Sequence, residues 1–260
     1  KEYCRGSVRS VAVTGRIWKN LKYNYEINGK IITDTYATRI IGREKWNDRN
    51  RYENNYFICG GAYPQMFDWE NDRQPEIERR QMVMYKLHVR GFSMDDTSCP
   101  RKERGTFRAI INKIPYLKAL GITTIELMPA YEFEEQVIPK ETVLPDYLKW
   151  ESRREDLIKP ESVKPEEKIN YWGYVPGNYF APKASYSSST DAASEFRELV
   201  HALHQNKMEC VMEFYFSPGM NQNVILDALR FWVREYHVDG FHLQGESLPV
   251  TAAAQDLLLS

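Results

Sequence analysis

The stretch Gly240-Phe241-His242-Leu243-Gln244-Gly245-Glu246-Ser247 alternates apolar and polar residues. A strand would send Phe241 and Leu243 to one face and His242, Gln244 and Glu246 to the other. On the run "ECVMEFYFSPG", Glu213 lies within an apolar strand pattern that leads to Ser217 and Pro218. Carboxylates at strand ends carry acid–base or nucleophilic chemistry. Gln244 does not fit that role, because a carboxamide is neutral and a far poorer nucleophile. Glu246 is then the candidate for a displaced acid; otherwise it is a solvated rim charge. Ser247 lacks the Gly-x-Ser-x-Gly elbow of a serine nucleophile. His201 and His204 stand three apart on a helical stretch with no third ligand beside them, so no metal site is expected. No cofactor is expected.

The elements that must position these residues follow from hydrophobic period. Residues before about 67 read as β: "LKYNYEING" and "KIITDTYATRII" alternate, and Asn28-Gly29 signals a hairpin turn. The charged stretch "DWENDRQPEIERR" reads as a linker over 68–81. From residue 82, strands ("MVMYKLHVRGF", "ITTIELMPA", "ECVMEFYF", "DGFHLQGE") alternate with helices ("TFRAIINKIPYLKALG", "DAASEFRELVHALHQNK", "NQNVILDALRFWVREYHV"). That order implies a parallel sheet and an α/β fold. The excursion 136–169 is rich in Pro and mixed charge and reads as a long βα loop, with a short helix near 145–156.

Composition bounds the partners. The chain has 260 residues, 42% hydrophobic, with formal net charge −1. A balance so near zero carries no footprint for nucleic acid or an anionic membrane. No apolar run reaches the roughly 18 residues a membrane span needs. Cys4, Cys59, Cys99 and Cys210 form no CxxC pair, which argues for a reducing interior and a cytoplasmic location. The 17 Tyr and 6 Trp serve cores first, but such rings also stack on sugars.

Several stretches stand together: "MYKLHVRGFS", "GTFRAIINKIPYLKALGITTIELMPAYEFEE", "NYWGYVPGNYFAPKASYSS", "EFRELVHALHQ" and "ILDALRFWVREYHVDGF". Over residues 82–246 their order and spacing resemble glycoside hydrolase family 13, the α-amylase family, and most of all its debranching members, pullulanase, isoamylase and glycogen debranching enzymes. "YEINGKIITDTYATR" also resembles the end of a family-48 carbohydrate-binding module. The resemblance implies a TIM-type (β/α) barrel, of which this chain supplies roughly the first four βα units over 82–260. Part of a β-sandwich over 1–67 would precede it, and the remaining strands are expected beyond residue 260. It also implies an α-glucan or maltooligosaccharide partner and a retaining mechanism, which needs two carboxyl groups about 5–5.5 Å apart.

Against the family's pattern the site is altered. Gly-Phe-Arg-Phe-Asp is here Gly240-Phe241-His242-Leu243-Gln244, so the nucleophile position is Gln244 and its Arg neighbour is His242. Asp-x-x-x-Asn-His is here Glu213, Ser217 and Pro218. The loop after that strand is cut to "SPGMNQN". Trp172-Gly173-Tyr174 persists, and the resemblance gives Tyr174 a place beneath the sugar and makes Trp172 and Tyr174 the substrate-binding candidates. Three readings follow: a catalytically silent α-glucan binder or regulator, an active debranching hydrolase with displaced acids, and a scaffold that binds no sugar.

Overall fold

Asn28 and Gly29 both take positive φ, 53° and 75°, as a two-residue type I′ hairpin requires. The computed structural model describes residues 4–5, 8–10, 21–48, 59–62, 66–136, 169–245, 248–251 and 253–254. Its N-terminal part holds short antiparallel strands. β1 (Cys4–Arg5) pairs with β2 (Val8–Arg9). β3 (Leu21–Tyr23) precedes the hairpin of β4 (Tyr25–Ile27) and β5 (Lys30–Ile32). β6 (Ile40–Ile41) and β3 flank β7 (Cys59–Ala62). The turn signal and the β character both match the sequence pattern.

Next come β8 (Met84–Leu87), the short α1 (Val89–Ser93), α2 (Phe107–Ala119) and β9 (Thr124–Leu127). β10 (Tyr131–Phe133) and β11 (Gly177–Pro182) form an antiparallel pair that the βα pattern did not foretell. They bracket the long excursion, whose base is closed by a bridge between Gln136 and Ile169. The helix expected near 145–156 lies outside the described residues. α3 (Ala192–Gln205), β12 (Glu209–Tyr215), α4 (Gln222–Tyr236) and β13 (Gly240–Gln244) complete the order. Strands β8, β9, β12 and β13 form one parallel sheet in that spatial order. The structure thus shows an α/β chain with a four-stranded parallel sheet. Among the described residues this sheet is open, with β8 and β13 at its edges.

The two faces of the sheet differ as the alternation demands. Leu87, Ile125, Leu127, Cys210, Met212 and Phe214 face the helices and are buried, with Phe241 and Leu243 packed against them. The helices complete this core through Phe107, Ile110, Ile114 and Leu117 of α2, Phe196, Leu199 and Leu203 of α3, and Ile225, Leu229 and Trp232 of α4. Each fully buried side chain of this kind contributes about 1.5–3 kcal/mol. Helix starts and stops have local causes. Asp191 accepts from the Ser194 amide to cap α3, and Gly121 at φ 77° ends the chain turn after α2. Cys59, Cys99 and Cys210 are free and buried. Among the described residues no helix is long and apolar enough to cross a membrane.

The 68–81 stretch docks on the α/β unit through Asp72. The Asp72 carboxylate lies 2.9 Å from His204 Nδ1, 2.7 Å from His237 Nδ1 and 3.4 Å from His201 Nδ1. His201 and His204 are therefore not alone, as their sequence spacing suggested: Asp72 and His237 join them. The other ring nitrogen of His204 lies 3.0 Å from Asp239 Oδ2. Only a doubly protonated ring donates to both carboxylates. Burial disfavours the charged His204 ring, but the bonds to Asp239 and Asp72 outweigh it and raise its pKa. Burial likewise opposes ionised Asp72, and the bonds from His237 and His204 overcome it and lower its pKa. His204 then adds stability that is full below its unfolded value of about 6.5 and is lost as pH rises through the raised folded value. Asp72 adds stability present above its own unfolded value of about 3.9 and lost as pH falls through the depressed one. Docking is strongest between these limits. Hydrogen exchange at the Asp72 amide, which bonds Trp69 O at 2.9 Å, should quicken on passing from mildly acidic to alkaline buffer by more than the intrinsic rate. His204→Ala should abolish that excess; an equal excess in the variant would sink the assignment.

Candidate functional site

The face of the sheet turned away from the helices is polar. Lys86 on β8 and Glu126 on β9 are register partners, as are Glu213 on β12 and His242 on β13. The Lys86 ammonium lies 3.1 Å from Glu126 Oε1 and 2.8 Å from Glu213 Oε2. His242 Nδ1 is 2.8 Å from Glu126 Oε1 and 3.6 Å from Glu213 Oε1. The Tyr174 hydroxyl donates to Glu213 Oε2 at 3.0 Å, and the Gln244 amide donates to Glu213 Oε1. The Glu213 side chain is wholly buried, whereas that of His242 is 46% exposed. Burial works against charge on both Lys86 and Glu126, but the bonds to Glu213 and Glu126 push Lys86 up, and the bonds from His242 and Lys86 hold Glu126 low. Burial and the bond to Glu213 together raise the Tyr174 phenol.

The aromatic segment is aimed by a glycine. Gly173 has φ 79°, and a Cβ there would lie 2.6 Å from the Phe133 ring. Only glycine gives both that turn and that close approach. Trp172 is 55% exposed and meets the His88 ring edge-on at 5.7 Å. His88 itself is structural. Its Nδ1 accepts from the Gly91 amide, so Nε2 carries the proton and donates to Tyr171 O at 2.8 Å. Burial lowers its pKa to about 4.

The sequence-derived candidates thus fall as follows. His242, Gln244, Glu213 and Tyr174 come together. Glu213 is the buried centre of the group. Ser217 is half-buried and Pro218 exposed beyond the end of β12. Trp172 lies beside Tyr174 in sequence with its ring largely in solvent. Glu246 lies outside the described residues. Lys86 and Glu126 were missed by sequence reasoning. Their signal was present: each is a single charge at an alternate position in an apolar strand, "MYKL" and "TIEL". Chemically, both Glu213 oxygens are occupied by donors, and Gln244 offers a donor rather than a negative oxygen.

Sheet and helices define an α/β chain that matches part of the fold of solved pullulanases. A group B streptococcal pullulanase crystallised with maltotetraose matches with a TM-score of 0.63 at 20% identity, over 90% of this chain and 35% of that one. The pneumococcal glycogen-degrading factor SpuA in a product complex gives 0.61 at 21%, over 90% and 28%. No protein-family model matches the chain. The relatives by sequence are isoamylases and glycogen debranching enzymes. Chloroplastic isoamylase 1 of Arabidopsis thaliana is 27% identical over 88% of this chain and 36% of its own length. The glycogen debranching enzyme of Salmonella paratyphi B is 26% identical over 90% and 39%. The GlgX homologue of Haemophilus influenzae, a glycogen operon protein, is 24% identical over 90% and 41%. The likeness to the α-amylase family read in the sequence therefore holds, and the chain spans about two fifths or less of these relatives' lengths.

Proposed function

We propose that the chain is a catalytically silent relative of the α-glucan debranching enzymes that binds α-glucan or regulates an active partner. In this reading, residues 82–260 are the first half of a (β/α)8 barrel, 68–81 a linker, and 1–67 part of a carbohydrate-binding module. Gln244 stands at the nucleophile position and His242 at that of its Arg neighbour. Glu213, Ser217 and Pro218 replace the polar strand-3 positions. Tyr174 and Trp172 offer rings to a sugar. The cytoplasmic assignment is supported by three free buried cysteines.

The observation that carries this reading is the Gln244 bond to Glu213. The side chain at the nucleophile position instead donates a hydrogen bond to a neighbour, and both Glu213 oxygens already accept from donors. A retaining mechanism needs one carboxylate free to attack and another to donate a proton.

No release of reducing sugar is expected from pullulan, glycogen or amylopectin. Gln244→Asp alone should not restore it, because His242 and Pro218 leave the site unprepared. Turnover that vanishes in Glu246→Gln would replace the silent reading with displaced acids. Calorimetric titration with maltooligosaccharides separates binder from scaffold: wild type should bind and Tyr174→Ala should bind at least about tenfold more weakly. Equal or absent binding in both would leave only a scaffold.

A further inference from the structure

The open polar face of the sheet gathers donors of two kinds. One oxygen of Glu126, one of Glu213 and one ring nitrogen of His242 all lie within 4.8 Å of one another. A tetrahedral zinc ion with bonds of about 2.0–2.2 Å spaces its donors roughly 3.4 Å apart. The two separations that involve His242 Nδ1, 2.8 Å and 3.6 Å, bracket that spacing. We propose that Glu126, Glu213 and His242 bind one divalent transition-metal ion of the zinc class.

Three features favour this class. The donors come from three adjacent parallel strands, so the sheet's hydrogen bonds fix their spacing. The imidazole nitrogen distinguishes the group from an acidic patch and suits zinc better than magnesium or calcium, which prefer oxygen shells. Glu213 Oε2 is already held by Lys86 and Tyr174, which leaves Oε1 to the Gln244 amide and to His242. Such outer partners orient ligating carboxylates in metal sites. With Glu213 Oε1 taken by the ion in place of the Gln244 amide, rotating that carboxamide would exchange its Nε2 for Oε1 and supply a fourth ligand. The half-exposed His242 gives solvent access. Lys86 is the internal competitor, since its ammonium sits between the same two carboxylates. With a neutral imidazole the carboxylates still outnumber it by one charge, so the face attracts a cation.

The inference shares Glu213, His242 and Gln244 with the proposed function but does not require glucan binding, and its test contains no sugar. Chelator-treated full chain is titrated with Zn²⁺ by calorimetry, and Co²⁺ is added separately to read its visible spectrum. One equivalent should bind, with the absorption of a low-coordinate nitrogen–oxygen site. His242→Ala, at a half-exposed position that packs no core, should weaken Zn²⁺ by at least about tenfold. His204→Ala, in the separate imidazole cluster at Asp72, should not. Any other pattern overturns the proposal, whether no saturable binding, binding undiminished in His242→Ala, or binding lost in His204→Ala.

Discussion

Replacing Lys183 with Met should destabilise the chain by about 3–5 kcal/mol, the cost of stripping the shared cation from a buried ion group. The Lys183 ammonium is fully buried, 3.1 Å from Glu132 Oε1 and 2.9 Å from Glu135 Oε2. It also donates to Phe133 O at 2.8 Å and lies 4.1 Å from the centre of the Phe133 ring. Both carboxylates are wholly buried. Arg43 reaches Glu132 only at 3.6 Å and cannot take Lys183's place. The remaining backbone donors, Ala184 to Glu132 and Asn47 to Glu135, compensate in part. At roughly 2–4 °C per kcal/mol for a chain of this size, thermal unfolding followed by circular dichroism should shift down by about 10 °C. Because Arg43, Trp46 and Asn47 meet this group, the junction between the N-terminal strands and the α/β unit should loosen first. A shift below about 2 °C would mean that the carboxylates find other partners.

Gln244→Glu should also destabilise, although the two side chains have the same shape. The amide donates to Glu213 Oε1, and the acid would bring a second negative oxygen to the same place. A hydrogen bond to a buried charge is worth about 1.5–3 kcal/mol, and the like-charge contact adds to it, for a loss of roughly 2–4 kcal/mol. Gln244→Met, which removes the donor without adding charge, should show about the first of these components alone. Urea unfolding of the three proteins distinguishes them. If Gln244→Glu equals wild type, the new acid keeps its proton and serves as the donor in place of the amide. The amide in this strand is thus explained by its neighbour: Glu213 fixes the need for a donor at position 244.

The sequence by itself determined the elements. Alternation set Phe241 and Leu243 against His242 and Gln244, and Asn28-Gly29 set the hairpin. The 3.6-residue period through Phe107, Ile110, Ile114 and Leu117 set a helix. These are local properties, because backbone geometry fixes side-chain direction within a few residues. The motif around Trp172 and Tyr174 was legible only through the family resemblance. Only the tertiary structure decided which charges meet. Lys86 finds Glu126 because β8 and β9 pair in one register, and a slip of one residue would send each side chain to the opposite face. Glu213 becomes the buried centre only when β13 brings Gln244 beside it and Tyr174 reaches it from 39 positions away. Asp72 finds His204 across 132 residues and His237 across 165. Such contacts leave no periodic trace, because ion pairs and hydrogen bonds depend on distance in space and not along the chain.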